Sequence, residues 1–249
     1  MGQANAVMRI IGILGGMGPQ ATIDLYQKVL NLTPATKDQD HLQVLIWSDP
    51  HIPDRTAAIL GCGEDPRPAL YAGAAKLVKG GAECIGIPCN TAHYYLEAIR
   101  QAAAGVPVLD MIELAAKAAS NVLGANAVVA VTATRGTLAT GLYERALLRY
   151  GLKPLVPSAA EQEIIDSLIF GPRGVKAGFV DEVNCLGYQD VCLRLLRSGA
   201  EAIVAACTEL PLISGPASRL LPVIDPTSTL AEALVSFGLE GSVHRAGGL

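Results

Sequence analysis

The sequence predicts an α/β protein of two pseudo-symmetric units, each a mostly parallel sheet flanked by helices, with a cleft between them. Three observations carry that expectation. The chain of 249 residues is 51% hydrophobic and 17% charged, so it can bury a large core. Its apolar runs are short and broken by 26 glycines and 15 prolines, as buried strands and packed helices are. Strand-like runs alternate with helical spacing, the pattern of parallel sheets with helices on both faces.

A fourth observation is that the chain is written twice. Gly81-Ala82-Glu83-Cys84-Ile85 through Cys89 reads over Gly199-Ala200-Glu201-Ala202-Ile203 through Cys207, an offset of 118 residues. The same offset lays Ile13 to Gly18 over Val131 to Gly136 and Ala21-Thr22 over Ala139-Thr140. Several blocks in one register mark an internal duplication.

The elements follow in order. A buried strand over 8–14 ends in the turn Gly15-Gly16-Met17-Gly18-Pro19, and helical spacing resumes over 21–30. A strand over 44–47 precedes a long loop rich in Asp, Pro and Gly that reaches Pro68. Helix 69–79 feeds strand 83–87, then helix 91–103 and strand 106–109. The second copy reads as strand 127–131, helix 138–150, strand 154–156, a polar loop and helix, helix 181–198 and strand 202–205. Each copy closes on Pro-Val-(Leu/Ile)-Asp, at Pro107 to Asp110 and Pro222 to Asp225. If each closing strand crosses to the neighbouring sheet, the units are 1–109 with 222–249, and 110–221. The expected architecture is thus two Rossmann-like domains whose crossovers share one hand.

Composition excludes several function classes. A net charge of −4 without a basic run offers no footprint for nucleic acid. No apolar stretch reaches the ~18 residues of a membrane span. The first ten residues lack the pattern of a secretion signal. Six cysteines without a disulfide-rich context point to a reduced, cytoplasmic setting. Cys62, Cys84, Cys185 and Cys192 read as small buried hydrophobes. The glycine turn lacks the G-x-G-x-x-G spacing and no Walker Lys-Ser/Thr is present, which argues against nucleotide binding.

Cys89 and Cys207 stand apart. Each lies at the carboxyl end of a predicted strand, where ligands bind in open parallel sheets, and just before a predicted helix, whose amides and dipole favour thiolate. A pseudo-twofold axis would bring one thiol to each wall of the cleft. Two facing thiols suit proton removal on one side of a carbon and delivery on the other, inverting a stereocentre. Asn90, Thr91 and Thr208 can hydrogen-bond a substrate carboxylate beside backbone amides. Thr134 and Thr137, in the turn that matches the glycine turn, join them as substrate-binding candidates. Glu209 either orients and charges the Cys207 thiol or is a carboxylate at a helix start. His93, one helical turn past Cys89, could tune that thiol, and His51 lies in the long loop. Cys89 and His93 lack a second pair at ligand spacing, so no metal is expected. No lysine sits in a cofactor-anchoring context, so no organic cofactor is expected either. Trp47 reads as core.

At Gly12-Ile13-Leu14-Gly15-Gly16-Met17-Gly18-Pro19, Pro88-Cys89-Asn90-Thr91-Ala92-His93 and Ala206-Cys207-Thr208-Glu209, the sequence resembles the aspartate/glutamate racemase family. The segments Pro50-His51-Ile52-Pro53-Asp54-Arg55-Thr56 and Gly63-Glu64-Asp65-Pro66-Arg67-Pro68 resemble its aspartate branch. The resemblance implies two α/β domains around the active site, catalysis by Cys89 and Cys207 without a cofactor, and a homodimer. It also implies that Arg55 and Lys176 hold substrate carboxylates; otherwise Arg55 is a loop residue paired with Asp54 or Asp65, and Lys176 an exposed lysine. Glutamate racemases carry an Asp-Ser-Gly turn and Thr-His after the second cysteine. Here the turn is Gly-Gly-Met-Gly and Glu209 follows Thr208, which argues against that branch. Arg135 adds a guanidinium near the second turn. The expected activity is racemisation of aspartate. The alternatives are glutamate, a broader amino acid set, or binding of an acidic amino acid without turnover.

Overall fold

The structure, a computed structural model, describes residues 8–240. Seven strands are seen among them: β1 (Ile11–Gly15), β2 (Val44–Ser48), β3 (Cys84–Gly86), β4 (Val128–Ala133), β5 (Lys153–Leu155), β6 (Ala202–Ala206) and β7 (Val223–Ile224). The helices are α1 (Pro19–Leu32), α2 (Arg55–Ile59), α3 (Arg67–Lys79), α4 (Leu96–Ala103), α5 (Met111–Val122), α6 (Arg135–Ala139), α7 (Leu142–Arg149), α8 (Ala159–Phe170), α9 (Glu182–Arg197) and α10 (Pro226–Glu240). One sheet has the order β2-β1-β3, extended by a parallel bridge from Ile85 to Val108; the other runs β5-β4-β6-β7. Every pairing is parallel, so the two sheets share one topology, as the duplication requires. β1, β3 and β6 are buried along their whole length, which is why they read as continuous apolar runs rather than alternating ones.

The repeated Gly-Ala-Glu has a structural cause. Gly81 and Gly199 take left-handed conformations, φ +97° and +96°, which a side chain would strain. Ala82 and Ala200 are buried behind them. The Glu83 carboxylate accepts a 2.8 Å bond from the Ile10 amide, and the Glu201 carboxylate a 2.9 Å bond from the Val128 amide. In each half, then, this tripeptide turns a helix into the next strand and satisfies the leading amide of the first. The closing motif is equally specific. The Pro107 and Pro222 carbonyls accept from the Ile85 and Ile203 amides at 2.9 Å, and Asp110 caps the first turn of α5. Proline needs no donor at such a sheet edge.

The closing strands correct one expectation. Neither crosses to the other sheet: Val108 pairs within the first and β7 within the second. The helices cross instead. Ile112, Ala115 and Ala119 of α5 join the core that holds Val129 and Val131. Leu230, Leu234 and Val235 of α10 join the core that holds Ile11 and Ile13. Residues 222–225, assigned from sequence to the first unit, therefore belong to the second sheet, and the chain returns only with α10. Residues 1–7 and 241–249, which that division also covers, lie outside the described part.

Two predicted helices are broken. The stretch 91–103 is a 3-10 turn, Thr91–Tyr95, followed by α4. The stretch 138–150 divides into α6 and α7 at Gly141, φ +61°. Among the described residues no helix is long and apolar enough to cross a membrane.

Candidate active site

A cavity of about 220 Å³ opens where the carboxyl ends of the two sheets meet. Cys89 lies three residues past β3 and Cys207 one residue past β6, and both line it. So do Arg55, Asn90, Thr91, Thr134, Lys176, Thr208 and Glu209. Thr137 does not. It stands behind, its hydroxyl 2.8 Å from that of Thr91 and 3.1 Å from that of Thr134, in a buried cluster that also takes in Thr56. This cluster stitches the halves together beside the thiols. Gly136 permits the approach, because a Cβ there would lie 2.7 Å from the Thr56 Cα.

The two thiols differ. Glu209, buried, accepts from the Cys207 thiol at 3.0 Å and from the Thr208 hydroxyl at 3.1 Å, and is ion-paired with Lys176. Burial, and then the Glu209 charge, push Cys207 well above the ordinary thiol range, while Lys176 opposes them. The helix-start lowering expected from sequence is overturned there. The element past Cys207 is only the 3-10 turn Leu210–Ile213, too short to supply a strong dipole, and the nearest carboxylate disfavours a second negative charge. Cys207 thus rests as a thiol hydrogen-bonded to a base. Burial works against charge on Lys176 as well, but the Glu209 carboxylate holds its ammonium above the ordinary value.

Arg55 pairs with neither Asp54 nor Asp65. Its guanidinium donates to the Ile52 and Pro53 carbonyls at 2.9 and 3.0 Å, while Asp54 caps α2 and Asp65 binds Arg67. Among the described residues five buried polar side-chain atoms lack a partner; two are donors on cavity residues, Arg55 Nε and Asn90 Nδ2.

Other candidates fall outside. His93 is buried; its Nδ1 bonds the Cys89 carbonyl at 2.9 Å and its Nε2 accepts from the Met111 amide at 3.1 Å. Burial lowers its pKa, so a neutral imidazole ties the Cys89 loop to α5 rather than exchanging protons. The His51 side chain is 93% exposed. Arg135 pairs with Asp166 away from the cavity. Trp47 packs on the core with the Lys76 ammonium over its ring. Of the four cysteines read as buried, Cys84 and Cys192 are, and burial pushes both to about 12. Cys62 is exposed and Cys185 half-buried, because the loop and helix face that carry them look to solvent. The glycine turn, by contrast, lines the cavity through Gly16, Met17 and Gly18, and Gly16, φ +92°, sits where a Cβ would strike the Asp49 backbone. Thr56 and Phe170 line the cavity as well. Thr56 stood in a quoted loop, but Phe170 ends an apolar helix with no local signal.

A duplicated α/β fold with two cysteines at equivalent strand ends defines the class, and comparison with known proteins places the chain within it. The chain belongs to the Asp/Glu/hydantoin racemase family, whose model matches residues 14–234. It is 30% identical over 236 residues to the broad specificity amino-acid racemase RacX of Bacillus subtilis, covering 91% of this chain and 97% of that one. The Picrophilus torridus aspartate racemase structure superposes with a TM-score of 0.78 at 31% identity, covering 92% and 93% of the two chains. A Corynebacterium kroppenstedtii glutamate racemase is 33% identical over 141 residues, 56% of this chain and 46% of that one. The protein is accordingly an isomerase of the amino acid racemase kind.

Proposed function

We propose that the protein racemises aspartate by a two-base mechanism in which Cys89 and Cys207 exchange protons on opposite faces of the α-carbon. The observation that carries this reading is the pair of thiols at symmetry-equivalent strand ends lining one cavity. One thiolate removes the α-proton and the other thiol returns a proton to the opposite face, so the protein ends one proton exchanged at each sulfur. In the direction where Cys207 is the base, Glu209 is placed 3.0 Å away to take its proton. Lys176 is ion-paired with that carboxylate.

An α-proton is far less acidic than a thiol, so the developing carbanion needs a strongly polarised carboxylate. Asn90, Thr91 and Thr134 supply neutral side-chain donors for it, with Thr137 holding the threonine hydroxyls in place, while the Thr208 hydroxyl is committed to Glu209 and Thr208 lines the same wall. Arg55, with no carboxylate partner among the described residues, suits the side-chain carboxylate. Lys176 is the lysine of this cavity and is held by Glu209. It is not free to anchor an aldehyde, in keeping with a cofactor-independent reaction. The remaining expectations, a homodimer in the cytoplasm, belong to the same reading.

The test is a substrate panel assayed by polarimetry without added cofactor. Aspartate is expected to exceed glutamate and neutral amino acids in kcat/KM by at least about tenfold, roughly the discrimination of one misplaced charged contact. Comparable turnover across the panel would make the protein a broad-specificity racemase. Tight aspartate binding with no turnover would make it a binding protein.

A further inference from the structure

The 118-residue repeat lays Tyr143 over Leu25, both fully or almost fully buried at equivalent core positions of α7 and α1. One copy carries a tyrosine where the other carries leucine, and its hydroxyl reaches across the seam to donate to Asn90 Oδ1. Asn90 itself has no amide counterpart, since the offset lays it over Thr208. The phenol and the amide thus break the internal symmetry together.

An asparagine amide can face either way, and the two faces differ sharply to an anion: Nδ2 donates, whereas Oδ1 repels. Burial pushes the Tyr143 phenol well above its ordinary value, so it keeps its proton. Among the described residues that hydroxyl has no hydrogen-bond partner other than Asn90 Oδ1. Turning the amide over would leave a buried phenolic proton without an acceptor, which costs more than it gains. The orientation that satisfies Tyr143 leaves Asn90 Nδ2 buried and unpartnered, on a residue that lines the cavity.

We propose that Tyr143 is a positioning residue that fixes the Asn90 amide with Nδ2 toward the cleft, as a donor to a substrate carboxylate. The role rests on the reading of the cavity as an acidic amino acid site. Tyr143 touches no substrate; it acts through Asn90.

The experiment is a double-mutant cycle with Tyr143→Phe, Asn90→Ala and both together. It reads the dissociation constant of succinate by calorimetry and KM and kcat for aspartate, with circular dichroism to check folding. Tyr143→Phe keeps the ring and removes only the hydroxyl. Asn90→Ala and Tyr143→Phe are each expected to weaken succinate and raise KM about fivefold, the worth of one hydrogen bond, with kcat falling less. The double variant is expected to match Asn90→Ala alone. If Asn90→Ala weakens binding while Tyr143→Phe stays within twofold of the parent, or if the two effects add, the positioning role is overturned and the site reading stands. If Asn90→Ala binds succinate and aspartate as the parent does, both are overturned.

Discussion

Cys89 and Cys207 occupy equivalent places in the repeat, yet among the described residues only Cys207 has a carboxylate hydrogen-bonded to its sulfur, because Glu209 falls where the first copy has Thr91. The consequence is chemical asymmetry inside a symmetric fold. Glu209 raises the Cys207 pKa and Lys176 lowers it. Removing the carboxylate charge therefore leaves Lys176 to act alone. Glu209→Gln is expected to shift the pH at which iodoacetamide alkylates Cys207 downward, while slowing turnover about 10²-fold through loss of the proton acceptor. Lys176→Met is expected to shift that pH upward. An unmoved alkylation profile in both variants would show that these charges do not govern the thiol. The thiols were legible as cavity residues because the repeat marks them twice at strand ends, and Asn90, Thr91, Thr208 and Glu209 because they directly follow those thiols. The state of Cys207 was not: its burial and its short following turn are tertiary facts.

Among the elements, α2 and α6 meet at the seam through Gly136, whose missing Cβ leaves room for Thr56. Gly136→Ala places a methyl group against the Thr56 backbone and side chain. It is expected to destabilise the protein by about 1–3 kcal/mol and to raise KM for aspartate, because Arg55 stands beside Thr56 in α2. Thermal denaturation and steady-state kinetics check this. A second expectation follows from the strand amides held by Glu83 and Glu201. Glu83→Ala and Glu201→Ala should each cost about 1–3 kcal/mol by urea denaturation, since a strand-leading amide loses its acceptor. Similar values in the two halves would express the duplication in energy. The strands were readable from their apolar runs and the helices from their spacing. α2 was read as loop, since five residues give too little periodicity. The interruption before α4 went unseen because the Thr91–Tyr95 turn carries helical residue types. Gly141 interrupts the other helix as a single left-handed residue in an otherwise helical pattern.

At the scale of the molecule, the exchanged helices α5 and α10 lock the two halves, each completing the other's core. The sequence showed two units and a returning tail, but not that the crossing begins after the closing strand. A Pro-Val-(Leu/Ile)-Asp run fits either sheet, and only packing decides between them. The buried thiols also set how the whole chain responds to alkali. Cys84 and Cys192 are pushed from the ordinary 9.0 to about 12 by burial. The folded state therefore holds protons that the unfolded chain releases above pH 9. Stability is full below that value and falls as pH rises, by up to about 1.4 kcal/mol per pH unit for each thiol. Melting temperature is expected to decline between pH 9 and 11, and less steeply in Cys84→Ala than in the parent once both are compared with their pH 8 values. An identical slope would remove Cys84 from the account.

The central claim is that two thiols share one α-carbon, and isotope exchange reads it most directly. In D₂O the parent is expected to wash deuterium into the α-position of both aspartate enantiomers while racemising them. Cys89→Ser and Cys207→Ser are each expected to lose racemisation by at least about 10³-fold, as when one of two required proton-transfer groups is removed. Each variant should still exchange the α-proton of one enantiomer, and the two variants opposite ones. Full racemisation in either variant, or exchange of the same enantiomer by both, would contradict the two-thiol mechanism.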